Sequence, residues 1–412
     1  MTREFDYDMI VCGGGIAGLT AACLLGTEGF RVLCVDPAPP ITDAAATGAD
    51  QRTTAFLQPA RALLEEAGLW PALAPHAAPL RVMRIVDAGG PEATARQVRD
   101  FTSSEIGDQP FGWNLPNWLL RREMVARIGT LDTVDFRPGT AATALFTRQG
   151  EARVSLSDGT RPRTRLVLAA DGRASPMRAA AGIGVRTTRY GQKALAFSVT
   201  HPIPHENIST EIHRTGGPFT LVPLPDRDGM PASAVVWMED GAEAQRLAAL
   251  DTAAFEAAAF DRSCGLFGPL TLATPRAVWP IVTQVAERMS GERLVLLAEA
   301  AHVLPPIGAQ GLNMSLADLR AIRDLAVAHR ADPGAAEVLA RYDRTRHAEV
   351  RIRAAGIDLL NRASRVHAQP LRDLRAAGLS ALYAAPPVRR MLMQMGLGAR
   401  AAAGDTETVA TP

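Results

Sequence analysis

The stretch Asp8-Met9-Ile10-Val11-Cys12-Gly13-Gly14-Gly15-Ile16-Ala17-Gly18 decides the fold. Its apolar run reads as a buried strand, its glycines as a tight turn, and Leu19 to Leu25 as the helix that follows. Gly13, Gly15 and Gly18 are spaced so that the chain turns sharply, admits a pyrophosphate to its backbone, and packs helix closely on strand. Alone the pattern is weak. A second apolar strand, Arg31 to Val35, ends in Asp36, at the distance where a carboxylate takes ribose hydroxyls. Together they call for an adenine dinucleotide on a Rossmann-like α/β unit.

Two later stretches repeat the theme of a buried strand ending at a ligand. Leu166 to Ala170 runs into Asp171-Gly172-Arg173-Ala174-Ser175-Pro176-Met177-Arg178. Ser175 followed by Pro176 makes a good helix start, so Ser175 reads as a cap, whereas Asp171 beside Gly172 suits a second approach to the ligand. Leu294 to Ala298 reads as another strand, stopped by Pro305 and Pro306. Gly308 and Gly311 then allow close backbone approach before the helical segment Leu312 to Leu325. Such a helix start carries partial positive charge and favours an anion or a carbonyl oxygen.

Three signatures occur in this order: Gly13-x-Gly15-x-x-Gly18, Asp171-Gly172-x-x-Ser175-x-x-Arg178, and Ala298-Glu299-Ala300-Ala301-His302-x-x-Pro305-Pro306. They resemble the FAD-dependent aromatic hydroxylases of the para-hydroxybenzoate hydroxylase type. The continuation Gly308-x-Gln310-Gly311-Leu312-Asn313 is more similar still to the ubiquinone-biosynthesis branch of that family. The resemblance covers nearly the whole chain and includes Asp50-x-Arg52, Asn117 to Arg122 and Trp279-Pro280-Ile281.

The fold it implies is α/β: a Rossmann-like FAD-binding domain of the glutathione-reductase type, an antiparallel β-sheet substrate domain, and C-terminal helices. The activity it implies is monooxygenation, with NAD(P)H as co-substrate, O2 as oxidant and a prenylated phenol as the ring hydroxylated. Reduced flavin must deliver oxygen in a dry pocket, so exclusion of water is the protein's main contribution. By the same resemblance, Pro305, Gly308 and Gln310 form the flavin-side loop. FAD is held by Gly13, Gly15, Gly18, Asp36, Arg52, Arg121, Asp171, Gly172, Glu299, Gly311, Leu312 and Asn313. Ala298-Glu299 stands where most of the family has Gly-Asp, and Glu299 takes over the contact to the ribityl chain. His302 reads as a structural hydrogen-bonder at the strand end, and no residue in 187–280 stands out as a base. No metal is expected. Another FAD-dependent hydroxylase or epoxidase of a small aromatic or polyketide substrate, or a non-catalytic flavin-binding subunit of a biosynthetic complex, would use the same scaffold.

At 412 residues the chain exceeds one core. The expected FAD-binding unit is discontinuous, 1–75, 105–183 and 282–330, with a helix from Ala55 to Ala67. The substrate sheet takes 76–104 and 184–281, including a strand from Leu80 to Asp87. Residues 331–399 form a helical region, and 400–412 a disordered tail. Basic and acidic residues number 44 and 43, a net charge of +1, which argues against a nucleic-acid partner. The start has no signal-peptide core and no apolar stretch is long enough to span a bilayer, so the expected location is cytoplasmic or peripheral at the inner membrane. Cys12, Cys23, Cys34 and Cys264 lack metal-ligand spacing and read as reduced thiols. Arginines from Arg351 to Arg390 alternate with apolar residues at helical spacing. They make either a packed tail with a solvated face or a surface for a membrane, a partner of a ubiquinone-biosynthesis complex, or a lipid-tail tunnel.

Overall fold

A computed structural model of the chain describes residues 5–397 apart from 91, 93 and 367, so the expected tail at 400–412 lies outside the described residues. In an eight-stranded sheet, Leu294–Leu296, Arg163–Ala169, Tyr7–Cys12, Val32–Asp36 and Val134–Pro138 lie side by side and parallel. In the first four the near-continuous Val, Leu, Ile and Cys runs follow from burial on both faces, as parallel strands require, whereas Val134–Pro138 at the edge is only partly buried. The helix Ile16–Thr27 packs directly on this sheet, and its Gly18, Ala21 and Ala22 are fully enclosed.

The second sheet has nine strands. Its path runs from His302–Val303 through Ala277–Ala286, Val185–Thr200, Met230–Asp240, Pro218–Arg227, Ile208–His213 and Val82–Asp87 to Gln97–Thr102. It is antiparallel except where Val82–Asp87 lies parallel to Ile208–His213. One face buries Phe197, Phe219 and Trp237 against the helix Thr252–Arg262, with Phe255 edge-on to Phe197 at 5.0 Å. The opposite face lines a cavity. The strand Ala277–Ala286 crosses residue 282 without a break.

Two local expectations need correction. Thr53–Leu57 is a strand and the helix spans Gln58–Glu66, so no helix begins at Ala55. The β-branched Thr53 and Thr54 with Phe56 favour the pleated form, and Pro59 sets the backbone of the helix start. Leu80 to Asp87 is also not one strand. Ala78–Leu80 joins Thr53–Leu57 and Gly112–Pro116 in a small three-stranded sheet, and Val82–Asp87 enters the large one.

A helix of 29 residues, Ala336–Ser364, spans both large sheets. Near one end Tyr342 donates to the Leu296 carbonyl at 2.9 Å. Near the other, Asp358 accepts from Tyr190 at 2.6 Å and Asn361 donates to Gln192 at 2.9 Å.

Candidate active site

The glycine loop leaves the end of Tyr7–Cys12 with no room to spare. A Cβ on Gly13 would stand 2.2 Å from the Ala170 carbonyl oxygen, and one on Gly18 would stand 1.8 Å from that of Gly13. Around Gly15 there is nothing within 4 Å. Gly15 caps the helix Ile16–Thr27 without a side-chain hydrogen bond, and the first turn holds no acid. Its amides are therefore open to an anion. Asp36 accepts from the Gly14 amide at 2.5 Å and from the Ala38 amide at 2.8 Å, which sets its carboxylate at the loop's rim.

Asp171 and Gly172 follow the neighbouring strand. Oδ2 of Asp171 accepts from the Met177 amide at 3.0 Å, while Oδ1 is buried with no partner. Burial pushes this carboxyl above its ordinary range against the pull of Ser175 and Met177. A lone buried acceptor in a ligand-facing turn is what a hydroxyl of a bound cofactor would complete. Ser175 does cap its helix, accepting from the Arg178 amide at 2.9 Å. Arg178 donates to the carbonyls of Ala300 and Arg173, which ties this turn to the next one.

That next turn is Ala298–Ala300. Ala298 adopts φ +54°, a left-handed conformation that glycine takes without strain, which accounts physically for the glycine expected there. Glu299 points to the cavity, 3.9 Å from Arg173. Downstream, Gly308 and Ala309 have φ +63° and +56°, two successive left-handed residues that turn the chain into the helix Gln310–Ala328. This helix too starts with no side-chain cap and no acid in its first turn. Asn313 pins it in place: its amide donates to the carbonyls of Ala55 and Ala309, and its oxygen accepts from the Leu57 amide. The side chain of Gln310 reaches back to Gly308 and out to Gly396, and accepts from Arg353 at 3.0 Å.

Arg52 and Arg121 converge on Asp50. Arg52 makes a two-pronged pair with it at 2.7 Å, Arg121 approaches to 3.4 Å, and Asn117 donates at 3.0 Å. Burial alone would raise the Asp50 carboxyl, but Arg52, Asn117 and Arg121 outweigh it and hold it below its usual range. The Arg52 guanidinium also lies 5.3 Å from the Trp279 ring.

A cavity of about 590 Å³ joins these parts. Among the sequence-derived residues, Arg52, Glu299, Gly308, Gln310, Gly311 and Leu312 line it, facing the second sheet. Gly13, Gly15, Gly18, Asp36, Asp171 and Gly172 lie outside that lining, with Ile16 linking the glycine loop to it. Pro305, Arg121 and Asn313 support the wall without lining it. His302 is not at the strand end's service; its Nε2 meets Asp318 at 2.6 Å, with both side chains enclosed. Among the described residues no cluster of His, Cys, Asp and Glu is placed to hold a metal ion.

Sequence reasoning missed the polar residues of the sheet wall, Ser209, Glu211 and Thr220. Their period-two alternation was the available signal, but on its own it reads as a solvated face.

A family model for the FAD binding domain matches residues 6–355. The chain belongs to this family. It is 32% identical to the ubiquinone hydroxylase UbiL of Rhodospirillum rubrum over 394 residues, which cover 95% of this chain and 89% of that protein. It is 27% identical to the 3-demethoxyubiquinol 3-hydroxylase of Escherichia coli, covering 97% of this chain and 100% of that one. In fold it matches the p-nitrophenol 4-monooxygenase PnpA of Pseudomonas putida with a TM-score of 0.76 at 18% identity, over 95% of this chain and 98% of that one. The open helix starts, the orphaned Asp171 oxygen and the bare space at Gly15 and Gly172 fit the FAD that the family binds.

Proposed function

We propose that this chain is an FAD-dependent monooxygenase that uses NAD(P)H and O2 to hydroxylate the ring of a prenylated phenol in ubiquinone biosynthesis. The observation that carries the reading is a single cavity. One wall is the uncapped helix start at Ala309 to Leu312, and the other is a largely apolar sheet face. Its similarity to a ubiquinone hydroxylase at 32% identity supports the substrate class.

In this reading the amides of Gly13 to Gly18 take the pyrophosphate and Asp36 the ribose, in the discontinuous unit 1–75, 105–183 and 282–330. Asp171, Gly172 and Glu299 take the ribityl hydroxyls. Gly308, Gly311 and Leu312 present backbone donors to the ring edge, while Pro305 and Asn313 keep the loop in shape. Arg52 and Arg121, fixed by Asp50, close the side near Trp279. Bound and reduced, FAD would supply the electrons that activate O2, from which the transferred oxygen atom comes. The apolar side chains Ala196, Val222, Ala234 and Val236 keep water from the reacting centre.

The prenyl tail sets a further expectation. Phe111 lines the cavity and packs on Met393 of the last helix, Pro386–Leu397, whose Met391, Leu392 and Met395 are exposed. Ile352, Leu359, Leu360, Leu371 and Leu374 on the two preceding helices are exposed as well. Arg353, Arg362, Arg365, Arg375 and Arg389 pair with acids of the same chain, so attraction to a membrane would rest more on these apolar residues than on the arginines. No helix among the described residues is long and apolar enough to cross a membrane. The reading is therefore of a peripheral protein that draws its substrate from the bilayer surface.

The test is turnover by flavin-loaded protein. Addition of a short-chain prenylated phenol should stimulate NAD(P)H oxidation and yield a product heavier by one oxygen atom derived from O2. Flavin binding without turnover on any prenylated phenol would favour the non-catalytic subunit, and turnover confined to other aromatics would move the substrate class.

A further inference from the structure

We propose that Glu211 is the base that takes the phenol proton and that His213 is the positioning residue that aims it. The inference rests on the proposed hydroxylation of a phenol and adds the group that prepares the ring. Oxygen transfer to an aromatic ring is easier the more electron-rich the ring, so a phenolate reacts ahead of a phenol. In an apolar cavity a phenol ionises only if a base stands within hydrogen-bond reach.

The lining offers very little choice. Among the described residues it holds no His, Lys, Tyr or Cys, and its carboxylates are Glu211 and Glu299. Glu299 stands on the FAD-binding side beside Arg173, with more than half of its side chain exposed. Glu211 stands on the substrate wall, in the strand Ile208–His213, with its side chain 16% exposed. Opposite it in register are Thr220 and Ile85, neither charged, and Ser209 lines the same face two residues away.

His213 lies on that face as well, two residues on, which is the period of a strand. Its Nε2 is 2.7 Å from Oε1 of Glu211, and its Nδ1 is buried with no partner. This contact orients the carboxylate, and among the described residues its Oε2 has no hydrogen-bond partner. In the step, the phenol O–H bond breaks, its electron pair stays on the ring oxygen, and the proton forms a new O–H bond at Oε2. The proton returns to water when product leaves.

The charges around the pair are few and mostly engaged. Asp87, opposite His213 in register, is paired with Arg96 at 2.6 Å and Arg375 at 2.9 Å, and Arg375 approaches the His213 carbonyl at 3.4 Å. Arg99 on the next strand donates to Ser380, and Arg84 with Asp100 projects from the other side of the sheet. The adjacent Pro218–Arg227 strand faces the pair with Thr220 and Pro218. Across the cavity stand Arg52, Arg173 and Glu299.

The test uses flavin-loaded protein and 2-geranylphenol, whose binding and hydroxylation are followed across a range of pH. In Glu211→Gln kcat near neutral pH should fall about a hundredfold, with little change in KM or flavin content. The rate should recover as pH is raised far enough for the phenol to ionise unaided. Glu211→Asp should keep part of the rate, and His213→Phe should lower kcat more than it changes KM. A kcat indifferent to Glu211→Gln would overturn the base. Should that variant not fold, an unchanged kcat in Glu211→Asp and His213→Phe together would overturn it. Failure of 2-geranylphenol to bind the wild type would reject the substrate reading and the base with it.

Discussion

Asp318 accepts a hydrogen bond from Nε2 of His302 at 2.6 Å, and neither side chain reaches solvent. On its other oxygen Asp318 accepts from Nε of Arg346 at 2.8 Å. Burial alone would drive this carboxyl up, but His302 and Arg346 outweigh it and hold it below its usual range. The trio locks the turn after Leu294–Leu296 to the helices Gln310–Ala328 and Ala336–Ser364. His302, conspicuous in the sequence, is thus a brace.

Removing one member leaves a buried charge uncompensated. Asp318→Asn should destabilise the fold by about 3–5 kcal/mol, read by thermal or urea unfolding. A carboxyl with a lowered folded pKa contributes stability above its unfolded value of about 3.9, and that contribution is lost as pH falls through the folded value. The wild type should therefore lose its advantage over Asp318→Asn on acidification below about pH 4. A constant difference across that range would contradict the assignment.

The glycine loop makes two opposite forecasts. Gly15→Ala adds a methyl into space the chain leaves open, so the apo fold should keep its unfolding midpoint while FAD affinity drops at least tenfold in a flavin fluorescence titration. Gly18→Ala forces a methyl against the Gly13 carbonyl and should lower stability by about 1–3 kcal/mol before any cofactor is added.

Asp50 is the shared acceptor of Arg52, Arg121 and Asn117. Asp50→Ala should release both arginines and weaken FAD binding roughly tenfold, since hydrogen bonds to charged groups are worth about 1.5–3 kcal/mol. An unchanged dissociation constant would show that the arginines do not act on FAD.

Glu239 titrates in the opposite sense to Asp318. Burial, helped by nearby Asp240 and Glu243 and opposed by Arg262, pushes its carboxyl up to about 7. The folded state then holds a proton that the unfolded chain releases near 4.3, so stability falls as pH rises from about 4.3 to about 7. Glu239→Gln lacks that fall. The difference between variant and wild type should drift in the variant's favour over this window and level off above it, as read from urea midpoints.

What was legible in the sequence is what the backbone demands locally. Gly18 is forced by a contact within one turn, with the Gly13 carbonyl, and Asp36 by the length of one strand-helix-strand unit, whereas Gly13 is forced by the Ala170 carbonyl at the end of the neighbouring strand. The helix Gln58–Glu66 starts later than Ala55 because pairing with Gly112–Pro116 makes Thr53–Leu57 strand, although Leu57 keeps the helical spacing of Ala60 and Leu64. Asp318 and Arg346 are 28 residues apart, and nothing local says they meet, although an acid among the buried Met314, Leu319 and Ile322 was a hint. Glu211 and His213 alternate as a solvated strand would, and only the sheet's position turns that face into a cavity wall.

The helix Ala336–Ser364 limits how this protein can be rebuilt from parts. It is anchored to the nucleotide half through Tyr342 and to the cavity sheet through Asp358 and Asn361. A chimera that grafts a relative's sheet to change substrate preference must bring Tyr190 and Gln192 along, or import the matching stretch of helix. Grafts that ignore this joint will assemble out of alignment even when each donor fragment is sound.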